Sequence, residues 1–329
     1  MAKLRRNHTK QSSASGGGMM AKIGIFAVVL AGLFWGYNQF SGTGGSFSDA
    51  VDQVEDMMGN EETESPAAST PTSGPKGPSE PGQMPILDDI LPSSTTGQVI
   101  KHNYYALSYS EEHEQAEWVA YVLTKDELYI PNVERGSNFR PDPRVRKASA
   151  STRDYKGSGY DRGHLVPAAD MAFNEQAMSE TFYMSNMSPQ ISNFNGGVWR
   201  ELEETVRDWA KKNNRLYIAT GPVLTQGIRE KIGGNEVSVP DLFYKVILDI
   251  DDPEDKAIGF IIPNEISTKE LWAYAVSVDK VEALTGIDFF SGLVEDDLEE
   301  ELERQFDMKK WPFNNKRYQA RVDEWNRRR

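Results

Sequence analysis

Asp161, Arg162, Gly163 and His164 stand together in "YDRGHLVPAAD", and that histidine is one of only four in the chain. A short way on, "MSNMSPQISNFNGGVWRELEETVRDWA" carries Asn186, Gln190, Asn193 and Asn195, then Glu203 eight residues after Asn195 and Arg207 four after that. An amide oxygen and a carboxylate suit a hard, hydrated divalent cation such as Mg²⁺, which takes oxygen ligands and keeps several waters. A neutral imidazole beside such an ion can take a proton from water, and guanidinium forks hold phosphate oxygens. These parts fit metal-assisted phosphodiester hydrolysis. They do not fit a zinc site, because one histidine is nearby and the chain has no cysteine.

Each residue also has a plain structural reading. His164 can be satisfied by a backbone carbonyl, Asn195 can cap a helix, and Glu203 with Arg207 can be an exposed i,i+4 ion pair worth a few tenths of a kcal/mol. What favours chemistry is their joint placement. Asn195, Glu203 and Arg207 can converge at one end of a helix over Gly197–Asn213, whose apolar stripe is Trp199, Leu202, Val206 and Trp209.

The elements that must hold these residues follow from periodicity. Short β-branched and aromatic runs bounded by turn residues predict strands at 117–124, 181–187, 215–224, 241–250 and 257–263. Further short helices are expected over 279–286 and 296–305. Strands and helices mix without a βαβ rhythm, which predicts an α+β fold with a mainly antiparallel sheet and flanking helices. The segment from Arg140 to Gly163 holds seven basic residues against three acids, while Glu295 to Glu303 is strongly acidic.

Upstream, residues 1–22 are basic without an acid, and 23–40 form the apolar run "IGIFAVVLAGLFWGYNQF". Its uninterrupted apolar part, Ile23 to Tyr37, is short for a bilayer span but reaches that length with Met19, Met20 and Phe40, and its aromatic cluster resembles an interfacial belt. A single uncleaved transmembrane signal-anchor is expected, with a cleaved signal peptide as the rival. The positive flank then places the rest of the chain outside the cytoplasm, as a membrane-anchored periplasmic or extracellular domain or, after cleavage, a secreted one. Residues 41–97 carry ten acids against Lys76 alone and are rich in Gly, Ser, Thr and Pro, which predicts a disordered tether reaching roughly 40 Å. The folded domain is expected over 98–329.

The net charge of −14 argues against a protein that coats nucleic acid through bulk electrostatics, so any polyanion site must be local. Arg140, Arg144, Arg146, Lys147, Arg153 and Lys156 are the local candidates. Without cysteine, packing alone must stabilise the fold.

"DRGH" at 161–164, "NMSPQ" at 186–190 and "FNGGVWRELE" at 194–203, followed by "LYIATGPV", "VPDLFYKVI", "GFIIPN" and "SVDKVEALTGIDFF", resemble the DNA/RNA non-specific endonuclease family, the sugar-nonspecific nucleases with a ββα-metal active site. The resemblance runs over about residues 98–315. It implies a ββα-metal core and cleavage of DNA and RNA to 5′-phosphorylated fragments with Mg²⁺ or Mn²⁺. It implies His164 as general base, Asn195 as direct metal ligand and Glu203 as orienter of the metal's waters. Arg162 and Arg207 match the arginines on the scissile phosphate, and Asn186 an active-site asparagine near it. Arg144, Arg146 and Lys147 are expected to add substrate contacts. On this reading Gly163 lets the backbone approach the ion, Arg162 and His164 project on either side of it, and Asp161 orients the turn. A catalytically silent nuclease fold that binds nucleic acid or protein is the alternative. A toxin would need a delivery module, and none is visible. Oligomeric state stays open.

Overall fold

The computed structural model describes residues 91–92, 96–147, 149–251 and 253–327. The basic segment 1–22, the anchor at 23–40 and nearly all of the tether at 41–97 lie outside the described residues. Among the described residues no helix is long and apolar enough to cross a membrane.

The main sheet has seven strands in the spatial order Gln98–Lys101, Ala106–Ser110, Gln115–Thr124, Arg215–Pro222, Leu242–Asp249, Lys256–Pro263 and Ala275–Val276. Every neighbouring pair is antiparallel. The strand Gln115–Thr124 shows why the sheet is central. Successive side chains point to opposite faces, and here both faces are apolar. Val119, Tyr121 and Leu123 enter the core shared with Leu202, Val206 and Trp209. Trp118 and Ala120 enter a second core, shared with Val278, Val281 and Phe289. The helix Arg200–Asn213 therefore covers one face, and the helix Val278–Thr285 covers the other.

The chain leaves this sheet after Thr124 and returns at Arg215. The excursion builds the part of the molecule that carries the sequence motifs. Asp161–His164 is a strand, and it pairs antiparallel with Met187–Gln190 in a separate two-stranded ribbon. Next come a π-helical turn over Phe194–Trp199 and the helix Arg200–Asn213, so two strands and a helix follow one another in the ββα arrangement. Another ribbon, Ile228–Ile232 with Val237–Pro240, packs beside it through Val237, Val239, Met184 and Met187.

Several expectations shift in detail. The strand expected over 181–187 is mostly not one. Thr181 Oγ1 donates to the carbonyl of Met178 at 2.7 Å, a 3₁₀ turn covers Met184–Asn186, and pairing starts only at Met187. Local side-chain bonds to backbone compete with a sheet ladder wherever Ser, Thr and Asn cluster. The helix expected from Gly197 begins at Arg200, because Gly197 has non-helical backbone (φ −108°, ψ −110°) and breaks the run. The strands Gln98–Lys101 and Ala106–Ser110, and the ribbon after Ile228, lack a clear alternating pattern and are visible only in the fold.

Candidate active site

The ribbon presents its polar residues by strand alternation. Gly163 faces Ser188 in the register, and a Cβ at Gly163 would lie 2.2 Å from side-chain atoms of Gln190. The close approach of Gln190, a fully buried side chain, is by itself enough to require a glycine here. Arg162 and His164 are two apart on a strand and share a face. They do not project on opposite sides: the Arg162 guanidinium lies 4.2 Å from the Phe139 ring centroid, and the His164 ring meets the same phenylalanine edge-on at 5.7 Å. Phe182 closes the other side of the imidazole at 5.0 Å.

The aromatic walls set the chemistry of His164. Its Nε2 is enclosed and has no hydrogen-bond partner. Burial, and then the charges of Arg135 and Arg162, hold the imidazole far below its usual value, at about 3. A histidine so placed is neutral at physiological pH and can accept a proton.

Asp161 ties the ribbon to the turn before the helix. Its two carboxylate oxygens accept from Ser192 Oγ at 2.8 Å and from Asn195 Nδ2 at 3.0 Å. Because the amide nitrogen of Asn195 is held by Asp161, its oxygen is the end left for another partner. Asp161 therefore orients Asn195 directly, a sharper role than shaping a turn.

Glu203 and Arg207 lie on the next turns of the helix. The i,i+4 ion pair between them does not form. Arg207 Nη1 instead donates to Asp170 at 2.6 Å, and the second oxygen of Asp170 accepts from Tyr121 at 2.8 Å. Asp170 is buried, so this pair is anchored across the domain. Glu203 makes no hydrogen bond or direct ion pair with another described residue. Burial pushes its carboxyl upward, opposed by the positive charges of Arg207 and Lys245. Lys245 reaches this cluster from the sheet strand Leu242–Asp249. Its ammonium is fully buried without a hydrogen bond, 5.2 Å from the Trp199 ring centroid and 5.9 Å from that of Tyr121. Arg135 links the two halves, since its charge bears on both His164 and Glu203.

Two expected substrate contacts are placed elsewhere. Asn186 is fully buried; its nitrogen donates to the carbonyls of Val166 and Thr181, and its oxygen accepts from the Val166 amide. Its amide is spent bracing the loop after His164. Arg144 donates to the Lys101 carbonyl and lies 3.3 Å from His102 Nδ1, so it supports the first sheet strand. Arg146 and Lys147 are exposed, with Lys147 3.8 Å from Glu111.

Arg135, Phe139, Asp170, Phe182 and Lys245 escaped the reading of the sequence. Lys245 had a signal, because a lone lysine inside "DLFYKVILDI" is out of place in a strand buried on both faces. Arg135 had none, since it lies in an exposed loop without regular structure.

The donor set fits a hard divalent cation at this site. The amide oxygen of Asn195, oriented through its own nitrogen, and the Glu203 carboxylate, free of protein partners, are hard oxygen donors of the kind such an ion takes alongside water.

Comparison with known proteins places the chain among nucleases. The chain is 36% identical over 203 residues to a nuclease of Nostoc sp., covering 58% of this chain and 72% of that protein. It is 40% identical over 215 residues to nuclease C1 of Cunninghamella echinulata, covering 60% and 85%. It is 33% identical over 232 residues to the mitochondrial endonuclease G of Caenorhabditis elegans, at 62% and 75% coverage. Among solved structures it resembles EndoG in complex with the inhibitor EndoGI, with a TM-score of 0.57 and 32% identity over 61% of this chain and 89% of that one. The model of the DNA/RNA non-specific endonucleases matches residues 83–296, most of the folded part, and this chain belongs to that family.

Proposed function

We propose that this chain is a divalent-metal-dependent endonuclease that hydrolyses phosphodiester bonds of DNA and RNA with little sequence preference and leaves 5′-phosphate ends. The observation that carries the reading is an imidazole kept neutral by burial and two arginines, on the same ribbon whose Asp161 orients Asn195.

In this reading Asn195 and, through waters, Glu203 hold Mg²⁺ or Mn²⁺, which when bound supplies Lewis-acid stabilisation of the leaving oxygen. His164 takes the proton of the attacking water, a role its depressed basicity leaves open at every physiological pH. Arg162 and Arg207 bind the scissile phosphate, and Asp170 with Tyr121 keeps Arg207 in place. Asn186 acts as a positioning residue for the loop that follows His164. Arg146 and Lys147 are the outer contacts to the polyanion, which makes binding salt-dependent.

The test is cleavage of circular plasmid DNA and of structured RNA with Mg²⁺, with Mn²⁺ and with chelator, alongside Asn195→Ala. Metal-dependent cutting of both substrates, lost in the variant, is expected. No cutting under any divalent ion would give first place to a silent fold that only binds. The same reading includes anchoring through residues 23–40 with the nuclease domain outside the cytoplasm, supported by the basic flank and apolar run. Full-length protein in the membrane fraction is expected, and a soluble form starting after about residue 40 would replace the anchor with a cleaved signal.

A further inference from the structure

On the sheet face opposite the helix Arg200–Asn213, two helices touch that both point carboxylates at their junction. Val278–Thr285 packs on the sheet through Val278 and Val281, and Asp296–Arg304 lies against it. Asp279 and Glu282 are three apart on the first, and Glu299 and Glu303 are four apart on the second, so each pair shares a helix face. Oxygens of Asp279, Glu282 and Glu303 all lie within 4.8 Å of one another.

Like charges at this distance repel, and the surroundings do little to relieve them. None of the three forms an ion pair with a lysine or arginine among the described residues. Glu282 accepts one hydrogen bond, from the Phe289 amide at 2.8 Å. Glu303 is only 7% exposed, and its Oε1 is enclosed without a partner. A buried carboxylate oxygen left unbonded costs free energy unless something other than the protein satisfies it. Two ligands on opposite sides of a Ca²⁺ ion stand about 4.6–5.2 Å apart, so these oxygens can share one.

We propose that Asp279, Glu282 and Glu303 form a structural site for a hard divalent cation, best matched by Ca²⁺, which clamps the two helices together away from the nuclease site. Carboxylates from two separate helices, with water completing the shell, suit a weak site with Kd on the order of 10⁻⁴–10⁻³ M, as in extracellular calcium modules. The competing arrangement is a cluster that keeps protons instead of a cation. Burial, and then the charges of Glu282, Glu299, Asp288 and Asp279, push the Glu303 carboxyl up to about 9, so protons are a real rival.

Thermal unfolding of the full chain with CaCl₂, with MgCl₂ and with chelator separates these cases. At ten times Kd, Ca²⁺ is expected to raise Tm by roughly 3–6 °C. The rise should persist in Asn195→Ala, which removes the proposed nuclease ligand, and vanish in Glu303→Gln. Plasmid cleavage with Mg²⁺ should be unchanged by Glu303→Gln. Should that variant fail to fold, the exposed Asp279→Asn gives the same readout. The proposal is overturned by the absence of a Ca²⁺ shift in the native chain, which leaves the cluster to protons. It is equally overturned by a shift that survives Glu303→Gln and disappears in Asn195→Ala, which puts the ion in the nuclease site. Loss of cleavage in Asn195→Ala is a separate readout, so the two readings fail independently.

Discussion

Two histidines of this molecule sit in buried aromatic surroundings and end up doing different things. His102 lies between Tyr105 and Tyr183, with ring centroids at 4.6 and 5.0 Å, and its Nε2 pairs with Asp142 at 3.0 Å. Asp142 in turn accepts from Ser185 at 2.6 Å. His164 lies between Phe139 and Phe182, and its Nε2 pairs with nothing. The first pocket supplies a carboxylate and completes a polar network, which fastens the strand Gln98–Lys101 to the loop around Asp142. The second supplies positive charge and no partner for Nε2, which leaves the imidazole neutral. A buried histidine is structural when the protein satisfies it, and poised for chemistry when the protein withholds the partner.

The largest test of this contrast is His164→Ala, expected to lower turnover by on the order of 10²–10⁴ while the chain stays folded. Turnover near the native value would remove His164 from the mechanism. His102→Ala should do the reverse: cleavage rates stay near native, while urea unfolding shows a loss of about 1–3 kcal/mol as the buried Asp142 carboxylate loses its imidazole partner. Asp170→Ala extends the contrast to the arginine, because a buried charge stripped of its partner costs about 3–5 kcal/mol. Cleavage should fall with it as Arg207 loses its anchor.

The pH dependence sharpens the comparison further. The unfolded chain protonates His164 near 6.5, while the folded chain resists down to about 3. Below 6.5 the unfolded state therefore binds a proton that the native state lacks. The contribution of His164 to stability is complete above 6.5 and is lost as pH falls from there towards 3. Replacing Arg135 by Gln removes one of the charges holding the imidazole down, so the acid limb of the rate profile should move to higher pH. An unmoved limb would detach Arg135 from His164. The smallest effect is expected from Arg146→Ala with Lys147→Ala: a few-fold rise in apparent KM and a shallower salt dependence, by about one unit of slope for each phosphate no longer bound.

The order of the candidate residues was legible because short motifs carry local geometry. Glu203 and the apolar residues Leu202, Val206 and Trp209 come from one stretch that a helical period places without any knowledge of the rest, whereas Asn195 lies before the break at Gly197 and is oriented by Asp161. The sheet was legible where strands are buried on both faces, as in "EWVAYVLT". It was illegible at 98–110, where only the partner strand explains the pairing, and at 181–187, where a β-rich composition gave way to a turn held by Thr181 and Asn186. The expected roles of Asn186 and Arg144 shifted for the same reason, since neither residue type says whether its donors are already used.

Sequence alone determined that Asp161, Arg162 and His164 form one short motif with Asn195, Glu203 and Arg207 downstream, and that Glu203 and Arg207 share a helix face, because helical spacing sets direction over a few residues. Only the tertiary structure decided the partners. It sent Arg207 to Asp170 rather than to its helical neighbour, turned Asp161 onto Asn195, brought the charge of Lys245 to bear on Glu203 and enclosed His164 between two phenylalanines. Those choices depend on which distant groups burial brings within hydrogen-bonding distance and on which charges it strips of water, and neither is encoded in any local period.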